Sequence, residues 1–402
     1  MQILQADTRE QLVKLMRDIR VDPYGIKIMS CKGITHLIRL SALSTIAANI
    51  LKQEMLSLGG DVAVARDALT GRTKRTDCLV MGSIAQINRL NEKLKRQPFG
   101  LHALGVRIAE SLTNYHRNDF VIRMGRYTLD LGTRVQVMGI VNITPDSFSG
   151  DGLLQAKNLN AGTRELIVAY VEKLVSDGAD IIDIGGESSR PGAKPVSAKE
   201  EIKRTVPIIK AIARRIKAPI SIDTCKPDVA KAALDGGAVI VNDISGLRDP
   251  AMPRLAARFK AGVVIMHMKG KPRTMQKNPV YRFLIEEIIA YLRQAISSAL
   301  EAGVPAENII IDPGIGFGKT KEHNLEIVRR LNEFKVLGRP ILVGLSRKSF
   351  IGKILGTEAH ERLAGTLSAC VLAAKNGARI VRVHDVLEAT RALKIFEAIE
   401  NA

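Results

Sequence analysis

The chain has 402 residues, a formal net charge of +19 and 46% hydrophobic residues, enough to bury a large core in two or three domains. No apolar run approaches the ~20 residues that span a bilayer, and the N-terminus (MQILQADTRE) lacks a signal-peptide pattern, so a soluble, cytoplasmic protein is expected. Cys31, Cys78, Cys225 and Cys370 lie far apart without a CxxC pair, which argues against a zinc ribbon or a disulfide scaffold and fits a reducing compartment.

Lysines and arginines are spread along both halves without a dense run, and aromatic residues are few. Nucleic-acid binding is therefore not expected; a small anionic, phosphorylated ligand suits the charge better. Residues 1–130 read as a small α/β domain of unassigned role. Within it, residues 46–58 carry apolar side chains at helical spacing and stop at Gly59-Gly60. Residues 76–87 read as a strand entering a helix, and 123–131 as a short strand leading onward. No catalytic constellation is evident here; His102 and His116 read as surface or packed histidines.

From residue 131 the pattern becomes periodic. Short apolar runs fall at 135–144, 179–186, 219–224, 238–245, 262–268, 308–314, 340–347 and 378–385, with helical patterns such as 164–176, 198–215 and 283–302 between them. Strands alternating with helices in this way predict a (β/α)8 TIM barrel over 131–402, with a doubly wound open sheet as the rival arrangement. Nearly every run ends in polar groups: Asn142, Asp183 with Glu187, Asp223, Asn242 with Asp243, His267, Asp312, Ser346-Arg347-Lys348, and Arg382 with His384 and Asp385. In such barrels the active site occupies the carboxyl ends of the strands.

The segment PGIGFGKT at 313–320 superficially resembles a phosphate loop. A Walker motif requires glycine at 313, with four residues between it and Gly318-Lys319-Thr320, and Pro313 stands there, so a nucleotide triphosphatase is not expected. The Ser346–Ser349 and Arg382–His384 stretches close the last two strands, the usual barrel site for a phosphate; a salt-bridge network at the rim is the structural alternative. Asp183, Asp223, Asn242 and Asp312 come from four different strands. Such a ring suits a heterocycle rich in N–H donors, or a magnesium cluster. Residues 146–152 and 187–193 read as loops able to fold over a ligand.

Taken in order, NITPDSFS, DIGGESSRPGA, SIDT, VNDISG, MHMKGKPRTMQ, DPGIGFGK, GLSRKSFIG and RVHDV make the chain resemble the dihydropteroate synthases, over about residues 135–395. The resemblance implies a TIM barrel that condenses 6-hydroxymethyl-7,8-dihydropterin diphosphate with 4-aminobenzoate, giving 7,8-dihydropteroate and diphosphate. It implies a pterin site of Asp223, Asn242, Met266, Asp312, Phe317 and Lys348. Asn142, Arg190, Arg382 and His384 would meet the diphosphate, Asn142 also meeting a magnesium ion. Phe148, Ser189, Pro191 and Ser349 would shape the aminobenzoate pocket. A homodimer is the family expectation. The order Gly150-Asp151-Gly152 and Ser189 depart from the commonest family form. A pterin-binding methyltransferase serving a corrinoid partner is the alternative.

Overall fold

The computed structural model describes residues 1–6, 8–144, 161–188, 195–270 and 274–401. The chain divides into two compact units, Met1–Thr113 and Asn114–Ala402.

Among the described residues of the first unit, an antiparallel sheet is built from β1 (Thr35–Ser44), β2 (Asp61–Val64) and β3 (Arg75–Ser83), with β3 in the middle. Alternation along β3 buries Cys78 and Val80 on one face. Against that face pack Leu51 and Met55 of helix Thr45–Leu56 and Ile87 and Leu90 of helix Ile84–Leu94. Each helix is started by a serine: the Ser44 and Ser83 hydroxyls accept from the N–H groups of Ala47 and Gln86.

The second unit opens with a hairpin, β4 (Val121–Met124) and β5 (Tyr127–Asp130). Eight described strands follow: β6 (Gln136–Asn142), β7 (Ile181–Gly185), β8 (Ile220–Asp223), β9 (Ile240–Asp243), β10 (Gly262–Met266), β11 (Ile309–Asp312), β12 (Ile341–Gly344) and β13 (Ala378–Val383). Each runs parallel to the next, and β13 pairs with β6 to close the barrel. Closure excludes the open sheet. Strands buried on both faces must be apolar throughout, which is why they stand out in the sequence.

The hairpin corrects the expected single strand at 123–131. Its apolar side chains Ile122, Met124 and Leu129 form one cluster with Met138, Ile181, Ile240, Val264, Ile310, Leu342 and Ile380, the inward residues near the start of the barrel strands. The hairpin therefore seals the barrel floor. Residues 114–130, expected with the leading domain, belong to the second unit.

Candidate active site at the carboxyl ends of the strands

Side chains two apart on a strand share a face. Two residues beyond the floor layer, the inward positions become Ile140, Asp183, Asn242, Met266, Asp312, Gly344 and Arg382. The barrel interior thus changes within one step from aliphatic to ionic. β8 adds Ser221 and Asp223.

These groups bond to one another. The Arg382 guanidinium donates from Nε to Asp183 Oδ2 at 2.5 Å and from Nη2 to Asp223 Oδ2 at 2.7 Å. Asn242 Nδ2 donates to the same Asp183 oxygen at 3.1 Å. Among the described residues, Asp183 Oδ1 is buried without a hydrogen-bond partner. Arg382, expected at the diphosphate, is thus already held between two carboxylates, and Asp183 joins the site although the family carry-over omitted it. Its strand-end position was the sequence signal.

Burial sets the electrostatics. It raises the Asp223 carboxyl, with the Arg382 charge pulling back. Asp312 is pushed by burial up to about 6, opposed by the Gly314 N–H that donates to its Oδ1 at 2.7 Å and by the Lys348 charge. Lys348 is drawn by burial down to about 8, with repulsion from Arg382 adding to the effect.

Beside this ring lies an apolar shelf of Met266, Met268, Met275 and Phe317. The Lys348 ammonium sits 4.5 Å from the centre of the Phe317 ring. The loop after β11 closes tightly on the end of β10: a Cβ added at Gly314, whose φ is +73°, would stand 1.9 Å from the His267 carbonyl oxygen. Lys319 Nζ lies buried against His267 Nδ1 at 2.9 Å, a pairing that no local sequence pattern signals. Burial holds His267 down at about 2 and Lys319 at about 7; their mutual repulsion and Asp312's attraction, respectively, come next.

At the rim, Asn142 on β6, Gly185 on β7 and Asp223 on β8 stand in register. Gly185 has no side chain to part its neighbours: a Cβ there would be 3.3 Å from Asn142 Oδ1 and 3.7 Å from Asp223 Cβ. Ser346 Oγ lies 3.0 Å from His384 Nδ1, and Ser349 is exposed at the start of the following helix. Arg347 pairs with Asp385. Its Nη2 donates to Asp385 Oδ1 at 2.6 Å and its Nε to Oδ2 at 3.2 Å, the rim ion pair. Phe148, Ser189, Arg190 and Pro191, and most of both expected covering loops, lie outside the described residues.

Among the described residues no group of three or more His, Cys, Asp or Glu side chains could hold a metal ion. Magnesium keeps several waters and needs few protein oxygens; the Asn142 amide offers one at the rim.

The model of the pterin binding enzymes matches residues 138–384. The chain belongs to that family. It is 44% identical to the dihydropteroate synthase of Escherichia coli over 275 residues, 68% of this chain and 95% of that protein. A solved dihydropteroate synthase of Xanthomonas albilineans with 4-aminobenzoic acid superposes with a TM-score of 0.65 at 39% identity, covering 71% of this chain and 99% of that one. A probable bifunctional folylpolyglutamate synthase/dihydropteroate synthase of Halobacterium salinarum is 40% identical over 382 residues, 94% of this chain. This chain spans only 44% of that longer relative. As a pterin-binding enzyme of the dihydropteroate synthase kind, the chain leaves the corrinoid methyltransferase reading without support.

Proposed function

We propose that the barrel joins 6-hydroxymethyl-7,8-dihydropterin diphosphate to 4-aminobenzoate, releasing diphosphate and forming 7,8-dihydropteroate. The observation that carries this is the ring of Asp183, Asp223, Asn242, Asp312 and Lys348 beside the Met266–Phe317 shelf. Carboxylates and an amide accept from the N–H edge of an aminopyrimidine, Lys348 donates to its acceptors, and the shelf takes the flat face.

The bond between the pterin methylene and the diphosphate oxygen breaks, its electron pair leaving with diphosphate. The amine nitrogen of 4-aminobenzoate forms the new bond to that carbon and releases a proton. Positive charge at the methylene spreads into the ring, where the Asp223 and Asp312 carboxylates stabilise it. Asn142, Arg190, Arg382 and His384 receive the diphosphate oxygens; for Arg382 this means sharing its N–H groups with Asp183 and Asp223. Phe148, Ser189, Pro191 and Ser349 shape the aminobenzoate pocket. When bound with the diphosphate, magnesium neutralises charge on the leaving group, and Asn142 would hold it.

No described helix is long and apolar enough to cross a membrane, in keeping with a cytoplasmic enzyme. A homodimer is proposed as well. Exposed Leu372 on helix Leu363–Lys375, and Ile395 and Ile399 on helix Val386–Glu400, offer apolar surface for it. The decisive experiment incubates the purified protein with the pterin diphosphate, 4-aminobenzoate and magnesium. Equal release of pteroate and diphosphate is expected; no product at saturating substrate would refute the reading. Lys348→Ala is expected to weaken binding of the pterin itself, and Arg190→Ala chiefly the handling of diphosphate; the reverse order in calorimetry would overturn those roles.

A further inference from the structure

The reaction scheme leaves Lys319 unused, although the residue is only 3% exposed. Its Nζ lies 2.9 Å from His267 Nδ1, 3.0 Å from the Phe317 carbonyl oxygen and 3.4 Å from the His267 carbonyl oxygen. The donors of one ammonium thus meet three acceptors drawn from two chain segments. One segment leaves β10 and bears Met266 and Met268; the other leaves β11 and bears Phe317. With Nδ1 accepting, the His267 ring hydrogen resides on Nε2.

Neighbouring contacts show how closely this junction is held. Gln276 Nε2 donates to the Gly316 carbonyl at 2.5 Å, and Tyr281 Oη to the Gly318 carbonyl at 2.8 Å. Arg248 donates to the carbonyls of Met268 and Gly270 at 2.5 and 2.7 Å. The His267 ring meets Tyr291 edge-on at 5.0 Å. Lys319 binds the two segments directly to each other. A buried ammonium is costly unless its N–H groups are bonded, and an apolar side chain would fill the space without that cost.

We propose that Lys319 is a positioning residue: it clasps the Phe317 loop to the Met266–Met268 segment and sets the width of the slot for the flat ring. The inference rests on the pterin reading of the site. It predicts that loss of the ammonium harms the pterin step selectively.

The test compares the whole chain with its Lys319→Ala and Lys319→Met variants. Pterin diphosphate affinity is measured by calorimetry, the KM for 4-aminobenzoate by turnover, and folding by circular dichroism. Pterin affinity is expected to fall about tenfold or more in both variants, as for a lost hydrogen bond to a charged group, with the aminobenzoate KM nearly unchanged. Added methylammonium should restore part of the affinity in Lys319→Ala and none in Lys319→Met. If neither variant folds, His267→Leu, which keeps Lys319 but removes its side-chain acceptor, is expected to weaken pterin binding alone. Wild-type protein that does not bind pterin would refute the pterin reading itself. Wild-type binding with unchanged variants, an equal loss for both substrates, or no amine rescue would overturn the role of Lys319.

Discussion

Two ionisable side chains bracket the pH range for pterin binding. Asp312 must be ionised to accept ring N–H groups, and burial has raised it to about 6. Lys348 must be charged to donate, and burial has lowered it to about 8. Acid therefore removes the acceptor as Asp312 takes up its proton, and alkali removes the donor as Lys348 gives up its own. Calorimetry across pH is expected to show affinity greatest between these values and declining on either side. Lys348→Met should remove the part of the alkaline decline that falls near 8, leaving a part near 7 from Lys319, and weaken binding by about 1.5–3 kcal/mol, the range for a hydrogen bond to a charged group. A pH profile unchanged in the variant would assign the decline near 8 to another residue.

At the scale of the element, the tight turn after β11 carries the shelf. Gly314→Ala must force the backbone away from the His267 carbonyl, since the new Cβ would stand at 1.9 Å, and it adds left-handed strain at φ +73°. Chemical denaturation is expected to show a loss of about 1–3 kcal/mol or more, together with weakened pterin binding. Gly356→Ala is the matched control. It too is left-handed, at φ +67°, but nothing lies within 4 Å of the added carbon. That variant should lose about 1 kcal/mol from backbone conformation alone and bind pterin as the parent does.

For the whole molecule, the hairpin β4–β5 defines what the barrel needs in order to fold. A chain of residues 114–402 keeps Ile122, Met124 and Leu129 over the floor residues Met138, Ile240 and Ile380. It is expected to melt cooperatively and to retain dihydropteroate synthesis. A chain beginning at residue 131 uncovers that apolar layer, and sedimentation should find it aggregated or unfolded. Equal behaviour of the two truncations would show that the hairpin is dispensable. Ile395→Glu tests the proposed dimer: light scattering should shift toward the monomer while the melting temperature stays close to that of the parent.

The barrel was legible because parallel strands buried on both faces leave uninterrupted apolar runs, and because Asn142, Asp223, Asn242 and Asp312 each stand where a run ends. The family motifs added the roles expected of those residues. Contacts between distant parts of the chain could not be read that way. The motif places Arg382 at the diphosphate, but only barrel closure sets it against Asp183 and Asp223, 199 and 159 residues away in sequence. His267 and Lys319, 52 residues apart, meet because two neighbouring strands deliver their loops to one place. The hairpin at Val121–Asp130 has an apolar face whose partner is the barrel floor, and no local pattern names a partner that begins at Met138 and ends at Ile380. Sequence by itself determined which residues would be buried and which would end the strands, since local periodicity and composition carry that information. Tertiary structure alone decided which charges face one another, because that depends on how the strands are staggered when the sheet closes.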